Sequence, residues 1–225
     1  MKVQRISVLA LLLIAIETMW AQPRLQQTEM YVGVHGGVLA SMPNFRPVLD
    51  GTSNLMQSAF LGGNGGLVFR YNGHKYCGLQ VELNYMQRGW RESWTTDTES
   101  GKYRRELHYA ELPFLMHLYF GKQHRFIVNL GPQIGYCVYD KQSGDEHPLQ
   151  KVQYGGLDKR FDWGIAAGIG YVANTRKSGS FQIEARFNYS FGDLFNTRRT
   201  DYFSRAQTMN VSINLGYLLC IKSFR

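Results

Sequence analysis

Apolar and polar residues alternate with period 2 over most of the chain beyond residue 21, and no segment there sustains a helical period. The alternation defines eight segments: 30–40, 61–71, 76–88, 107–120, 126–139, 161–173, 181–191 and 209–221. Segment 181–191 sets Phe181, Ile183, Ala185, Phe187 and Tyr189 against Gln182, Glu184, Arg186, Asn188 and Ser190. Segment 76–88 sets Leu79, Val81, Leu83 and Tyr85 against Gln80, Glu82, Asn84 and Met86. In a β-strand such alternation puts every apolar side chain on one face and every polar one on the other.

A soluble β-sandwich would alternate in the same way, and three features separate the two. The segments run to about 11–14 residues, the length a tilted strand needs to cross a bilayer, whereas soluble strands average about 5–6. Short connections (72–75, 121–125 and 174–179) alternate with long ones (41–60, 89–106, 140–160 and 193–205). Residues 72–75 include Asn72-Gly73, a tight-hairpin signal. Short periplasmic turns and long outer loops give this pattern when both termini lie in the periplasm. Finally, Arg70, Glu82, Asp162, Glu184 and Arg186 all sit on the polar faces. Inside an eight-stranded barrel these charges must pair, because the interior is only wide enough for side chains. The expectation is an all-β protein: an eight-stranded antiparallel up-and-down transmembrane barrel with a filled, charge-paired lumen.

Composition agrees. Aromatic residues make up 14% of the chain and glycines number 24, while mean hydropathy is slightly negative. A helical membrane protein would be more apolar, but a barrel turns half of each strand toward a polar lumen. Residues 1–21 are read as a signal peptide, with Lys2 and Arg5 before the apolar run 6–16. That run is too short to span a bilayer, which takes about 20 apolar residues. Residues 22–225 then form one barrel domain, placed in the outer membrane of a Gram-negative bacterium. Cys77, Cys137 and Cys220 lack motif spacing, and strand parity turns Cys77 outward and the other two inward.

The formal charge is +8. The short turns and the C-terminus hold Lys75, Lys122, Arg125, Arg176, Lys177, Lys222 and Arg225 with no acid among them, a basic periplasmic rim suited to anionic headgroups or an acidic periplasmic protein. Within the lumen, Arg70, Arg88 and Arg186 stand against Glu82, Glu111, Asp162 and Glu184. Nucleic acid is not an expected partner, because the basic residues are spread over separate turns. Outer-membrane lipids, and a periplasmic or surface protein, are.

Residues 62–66 (Gly-Gly-Asn-Gly-Gly) lack a following Lys-Ser/Thr and enter a strand, which excludes a phosphate-cradling loop. His35, His108 and His117 are read with lumen parity, and no Ser–His–acid signature joins them to a nucleophile. No catalytic, cofactor or metal residue is assigned. Tyr71, Trp90, Tyr109, Tyr136, Trp163, Tyr171 and Tyr189 lie near strand ends, as interfacial aromatic girdles do.

Several motifs occur in order along the chain. They are Glu82-Leu83-Asn84-Tyr85-Met86-Gln87-Arg88-Gly89, Tyr109-Ala110-Glu111-Leu112-Pro113, Gly131-Pro132-Gln133-Ile134-Gly135-Tyr136, Phe161-Asp162-Trp163-Gly164, Gly168-Ile169-Gly170-Tyr171 and Leu215-Gly216-Tyr217. With them the chain resembles the PorT-like outer-membrane β-barrel family of Bacteroidetes. The resemblance implies that Pro113 and Pro132 sit at bulges. It also implies a non-enzymatic role as scaffold, surface-binding or envelope- and secretion-associated protein, the family's namesake taking part in secretion through the outer membrane. A lipid-modifying enzyme and a narrow porin-like channel are the alternatives.

Overall fold

A computed structural model describes residues 28–47, 56–95, 100–144, 159–175, 179–192 and 203–224. These form eight antiparallel strands: β1 (Thr28–Pro47), β2 (Met56–Asn72), β3 (Cys77–Thr95), β4 (Ser100–Gly121), β5 (His124–Gly144), β6 (Phe161–Thr175), β7 (Gly179–Ser190) and β8 (Phe203–Phe224). Each pairs with its sequence neighbour, and β8 returns to β1 to close the barrel. Closure leaves no sheet edge, which a bilayer demands because it offers no water to unpaired backbone groups. Residues 1–21, read from the sequence as a signal peptide, and the turn residues Arg176 and Lys177 lie outside the described residues, as does Arg225.

The eight expected strands are all present with the expected faces. Val34, Leu67, Leu83, Phe126, Ile169 and Leu215 are exposed on the outer wall, whereas Arg70, Glu82, Asn129, Arg186 and Asn214 are buried inside. Small residues on the inner wall make room for larger neighbours. A Cβ at Gly168 would lie 2.1 Å from the Glu184 carboxylate, and one at Gly66 would lie 2.2 Å from the Asn84 amide oxygen. The short turns fall where expected. Gly121 and Gly179, at φ +116° and +83°, border two of them in a backbone region that glycine occupies freely.

The outer end departs from expectation. Residues 89–106, read as a long loop, are mostly strand: β3 and β4 stay paired out to Thr95 opposite Ser100. β5 follows, with Gly144 opposite Tyr103, and β1 runs with β8 as far as Pro47 and Phe203. β6 and β7 stop at Phe161 and Ser190, so the described wall is tall around β3–β5 and β8–β1 and low at β6–β7. The extension escaped pattern reading because it stands above the lipid. There the outer face carries Lys102, Arg104 and Glu106 while the inner face carries Tyr103, Arg105 and Leu107. With no lipid to face, the outer positions are charged and the apolar–polar contrast disappears.

The two prolines are not at bulges. The ladders skip Pro113 toward β3 and Pro132 toward β4, yet the register is the same on both sides of each gap. Proline lacks the N–H the ladder would use, so it interrupts pairing without slipping it. The register shifts occur instead at Met30/Tyr31, Ala59/Asn64, His108/Tyr109 and Arg46/Pro47.

Candidate functional site: the charged lumen

The polar side chains inside the barrel stack as layers, described from the periplasmic mouth upward. At the mouth, Arg125 of β5 reaches Glu29 of β1 through two hydrogen bonds of 2.7 and 3.1 Å. In a ring of eight strands β1 and β5 lie opposite each other, so this pair spans the opening. Tyr31 donates its hydroxyl to Glu29 at 2.9 Å, and the Arg125 guanidinium lies 5.1 Å from the centre of the Tyr119 ring. Above it, the His117 ring bonds Asn129 at 2.6 Å and stacks on Tyr119.

The middle layer centres on Glu82 of β3. Arg186, on the opposite strand β7, donates to both its oxygens at 2.5 and 2.7 Å. Asn84 and Gln80 donate to it as well, at 2.8 and 2.5 Å, and His35 stands 3.6 Å away. Arg186 also donates to Glu184 at 2.9 Å. Arg70 touches neither carboxylate; it donates to the side-chain oxygens of Gln80 and Gln182. Those glutamines pass the contact on by donating to Glu82 and Glu184. Two arginines thus balance two carboxylates, and the glutamines turn four charges into one connected network. Buried charges persist only under such pairing and bonding.

Asp162, expected in the same network, belongs to a separate layer further out. There Arg88 donates to Asp162 at 2.9 Å and to Ser190 at 3.1 Å, and contacts Glu111. Its guanidinium lies 4.9 Å from the Tyr109 ring centre. A fourth layer, which sequence reading missed, joins Arg105 to Asp140 by two bonds of 2.9 and 2.6 Å, with Trp90 beneath the guanidinium. Both residues fall in segments that the alternation assigns to long loops, 89–106 and 140–160.

Several other placements need correcting. Trp90 and Tyr109 are buried inside the barrel and do not belong to a girdle. His108 faces outward, bonded to the Tyr85 hydroxyl at 2.5 Å and flanked by Tyr139. Cys220 has inward parity but sits at the end of the barrel, in the last pair before the β1–β8 bulge, and is exposed, whereas Cys137 is buried. At the basic rim, Lys75 lies over the Tyr76 ring and the Lys122 carbonyl accepts from Arg125, while Lys222 is exposed on β8. The rim also carries an acid, because Glu29 pairs with Arg125 there.

Outside, aromatic side chains ring both ends. Tyr76 stacks with Phe120, Phe126 meets Tyr171 and Phe181 meets Tyr217 at the periplasmic end; Trp163 meets Phe191 and Tyr189 meets Phe191 at the outer end. Between these belts the wall is an exposed apolar band, the arrangement of a barrel that crosses an outer membrane. A family model described as outer membrane protein beta-barrel domain matches residues 20–196. The chain belongs to that family. Its location is the outer membrane of a Gram-negative bacterium.

Solved outer-membrane barrels resemble it in architecture. The crystal structure of outer membrane protein OprG from Pseudomonas aeruginosa aligns with a TM-score of 0.54 at 12% identity, covering 86% of this chain and 97% of that one. Ail, the attachment invasion locus protein of Yersinia pestis, in complex with a heparin analogue, gives 0.44 at 15% identity, with 85% and 99% covered. Outer membrane protein W of E. coli gives 0.40 at 15% identity, with 87% and 100% covered. At these identities the likeness concerns fold alone. No curated protein matches the chain.

Proposed function

We propose that this chain is a non-enzymatic outer-membrane barrel of the PorT-like kind found in Bacteroidetes, a scaffold or surface-binding element of the envelope, associated with assembly or secretion, whose lumen is packed shut. The observation that carries this reading is the Arg186–Glu82 pair, which ties opposite walls together at mid-lumen with its charges fully buried. The Arg125–Glu29 pair, partly buried, also ties opposite walls together at the mouth. Ions would have to break both to pass.

A non-enzymatic role is supported by the histidines. His35 and His117 bond to the asparagines Asn84 and Asn129, neither of which is a nucleophile, and His108 is engaged by tyrosines on the lipid side. The surfaces left for partners are the tall β3–β5 extension outside the cell and the rim around Lys75, Lys122 and Lys222 inside it. Outer-membrane lipids and a periplasmic or surface protein are the partners these surfaces suit.

The test has two arms. Purified barrel in planar bilayers is expected to show no stable conductance, and incubation with lipopolysaccharide and phospholipid is expected to release no product. A steady channel would overturn the packed-lumen reading; turnover abolished by His→Ala at position 35, 108 or 117 would overturn the non-enzymatic one. Crosslinking in intact cells should then join the rim or the β3–β5 extension to one envelope protein.

A further inference from the structure

The low side of the barrel carries a feature that the lumen does not explain. At the outer end of β6, Lys159 and Arg160 are exposed, and with Phe161, Trp163, Phe191 and Gly192 they line one cavity on the outside of the wall. Its frame is firmly held. The Arg160 carbonyl accepts from the Cys137 N–H at 2.8 Å, and the Phe191 N–H donates to the Trp163 carbonyl at 2.8 Å. The Trp163 and Phe191 rings meet at 5.0 Å and belong to the outer aromatic belt, so the cavity lies at headgroup depth in the outer leaflet. Asp162, the acid between these residues in the chain, faces the lumen and is held by Arg88 and Ser190. Asp158 and Asp193 flank the cavity in sequence and lie outside the described residues.

A second depression lies lower on the same two strands. It forms where small Ala167 and Ala185 are bordered by Leu130, Ile169, Phe187 and Val211, and it is almost wholly apolar. Trp163 pairs across from Phe191, Ile165 from Tyr189 and Ala167 from Phe187, so a single cross-strand pair separates the two depressions. Trp163 and Ala167 are four residues apart, roughly 13 Å along the strand. A cationic cavity at headgroup depth above an apolar groove in the hydrocarbon matches one molecule with a charged head and acyl tails.

We propose that the β6–β7 wall binds an outer-leaflet glycolipid of the lipid A class, with a phosphate held by Lys159 and Arg160 and an acyl chain in the groove at Ala167 and Ala185. Two adjacent cations suit the doubly charged monoester phosphate of such a lipid better than the singly charged diester of a phospholipid. The planar guanidinium of Arg160 can take two phosphate oxygens at once, and Lys159 adds a point charge. The aromatic floor supplies a platform for the sugar and excludes water from the contact. This assignment is independent of whether the barrel is a scaffold, because it uses only the outside of the wall.

The test is native mass spectrometry of the full barrel released from phosphatidylcholine nanodiscs doped with bisphosphorylated lipid A, dephosphorylated lipid A or phosphatidylglycerol. Retention of bisphosphorylated lipid A is expected for the natural sequence. It should fall about tenfold in the Lys159→Ala/Arg160→Ala double variant, the scale set by losing charge-assisted bonds to one phosphate. Ala167→Phe/Ala185→Phe, which fills the groove, should lower it as well. Heat-modifiable migration on gels confirms that each variant is folded. Equal retention by the double-alanine variant would overturn the site, and so would unchanged retention by Ala167→Phe/Ala185→Phe. Equal retention of dephosphorylated lipid A or phosphatidylglycerol, or full displacement by millimolar inorganic phosphate, would overturn the lipid assignment.

Discussion

Glu82, deep in the lumen, receives four hydrogen bonds, two from Arg186 and one each from Gln80 and Asn84. Removing it leaves Arg186 buried with half its partners gone, and breaking a buried pair costs about 3–5 kcal/mol. Glu82→Leu is therefore expected to destabilise the barrel by about that much, measured by urea unfolding in lipid vesicles. The Glu82→Leu/Arg186→Leu double variant should cost clearly less than the sum of the two singles, because it leaves no stranded charge at that position. Strict additivity would show that the pair is not coupled. At this scale strand parity made Glu82, Glu184, Arg70 and Arg186 legible as a group. What it could not show is that Arg70 acts through glutamines, or that Asp162 is claimed by Arg88. Both depend on how far side chains reach across the lumen, which a one-strand pattern does not contain. Trp90 and Tyr109 are misplaced for a different reason: an aromatic near a strand end reads as a girdle residue, although Trp90 shares the inward parity of Arg88 and Tyr109 that of Glu111.

The strands were legible wherever lipid lies outside and polar side chains lie inside. Above the lipid that contrast vanishes, and the β3–β4 extension looked like loop although its backbone pairing continues. The consequence is measurable by hydrogen exchange. Amides of 90–95 and 100–106 are expected to be protected against exchange to a degree closer to the membrane-embedded strands than to an unpaired loop, because ladder bonds hold them. Exchange within seconds across both stretches would contradict the extended hairpin. The prolines illustrate the opposite error. Pro113 and Pro132 suggested bulges, yet a closed barrel tolerates a missing ladder bond more readily than a slipped register, which would turn every following side chain to the wrong face.

For the molecule as a whole, orientation follows from both termini sharing the end with the short turns. Cys220 lies at that end and is exposed, while Cys137 is buried near the outer end. A bulky, membrane-impermeant maleimide should leave Cys220 unmodified in intact cells and label it once the outer membrane is permeabilised, with Cys137 protected until the barrel unfolds. Labelling of Cys220 in intact cells would invert the topology. The number of strands, their order and their direction were all readable in advance, because alternation, turn chemistry and loop-length asymmetry agree. The location followed from the same features, whereas the partner did not, since docking surfaces carry no comparable periodicity.

The two ion pairs that join opposite strands, Arg186–Glu82 and Arg125–Glu29, tie β3 to β7 and β1 to β5 at two different heights. Together they act as struts. A cylinder squeezed by lateral bilayer pressure flattens by shortening one axis and lengthening the other, and each strut resists the lengthening along its own. Neither strut can form in a sheet that has not yet curled, since the partners are then four strands apart. The cross-ties therefore add nothing to the early steps of insertion and engage together on closure, making the finished cylinder stiff and slow to reopen in a way that its backbone ladders alone would not.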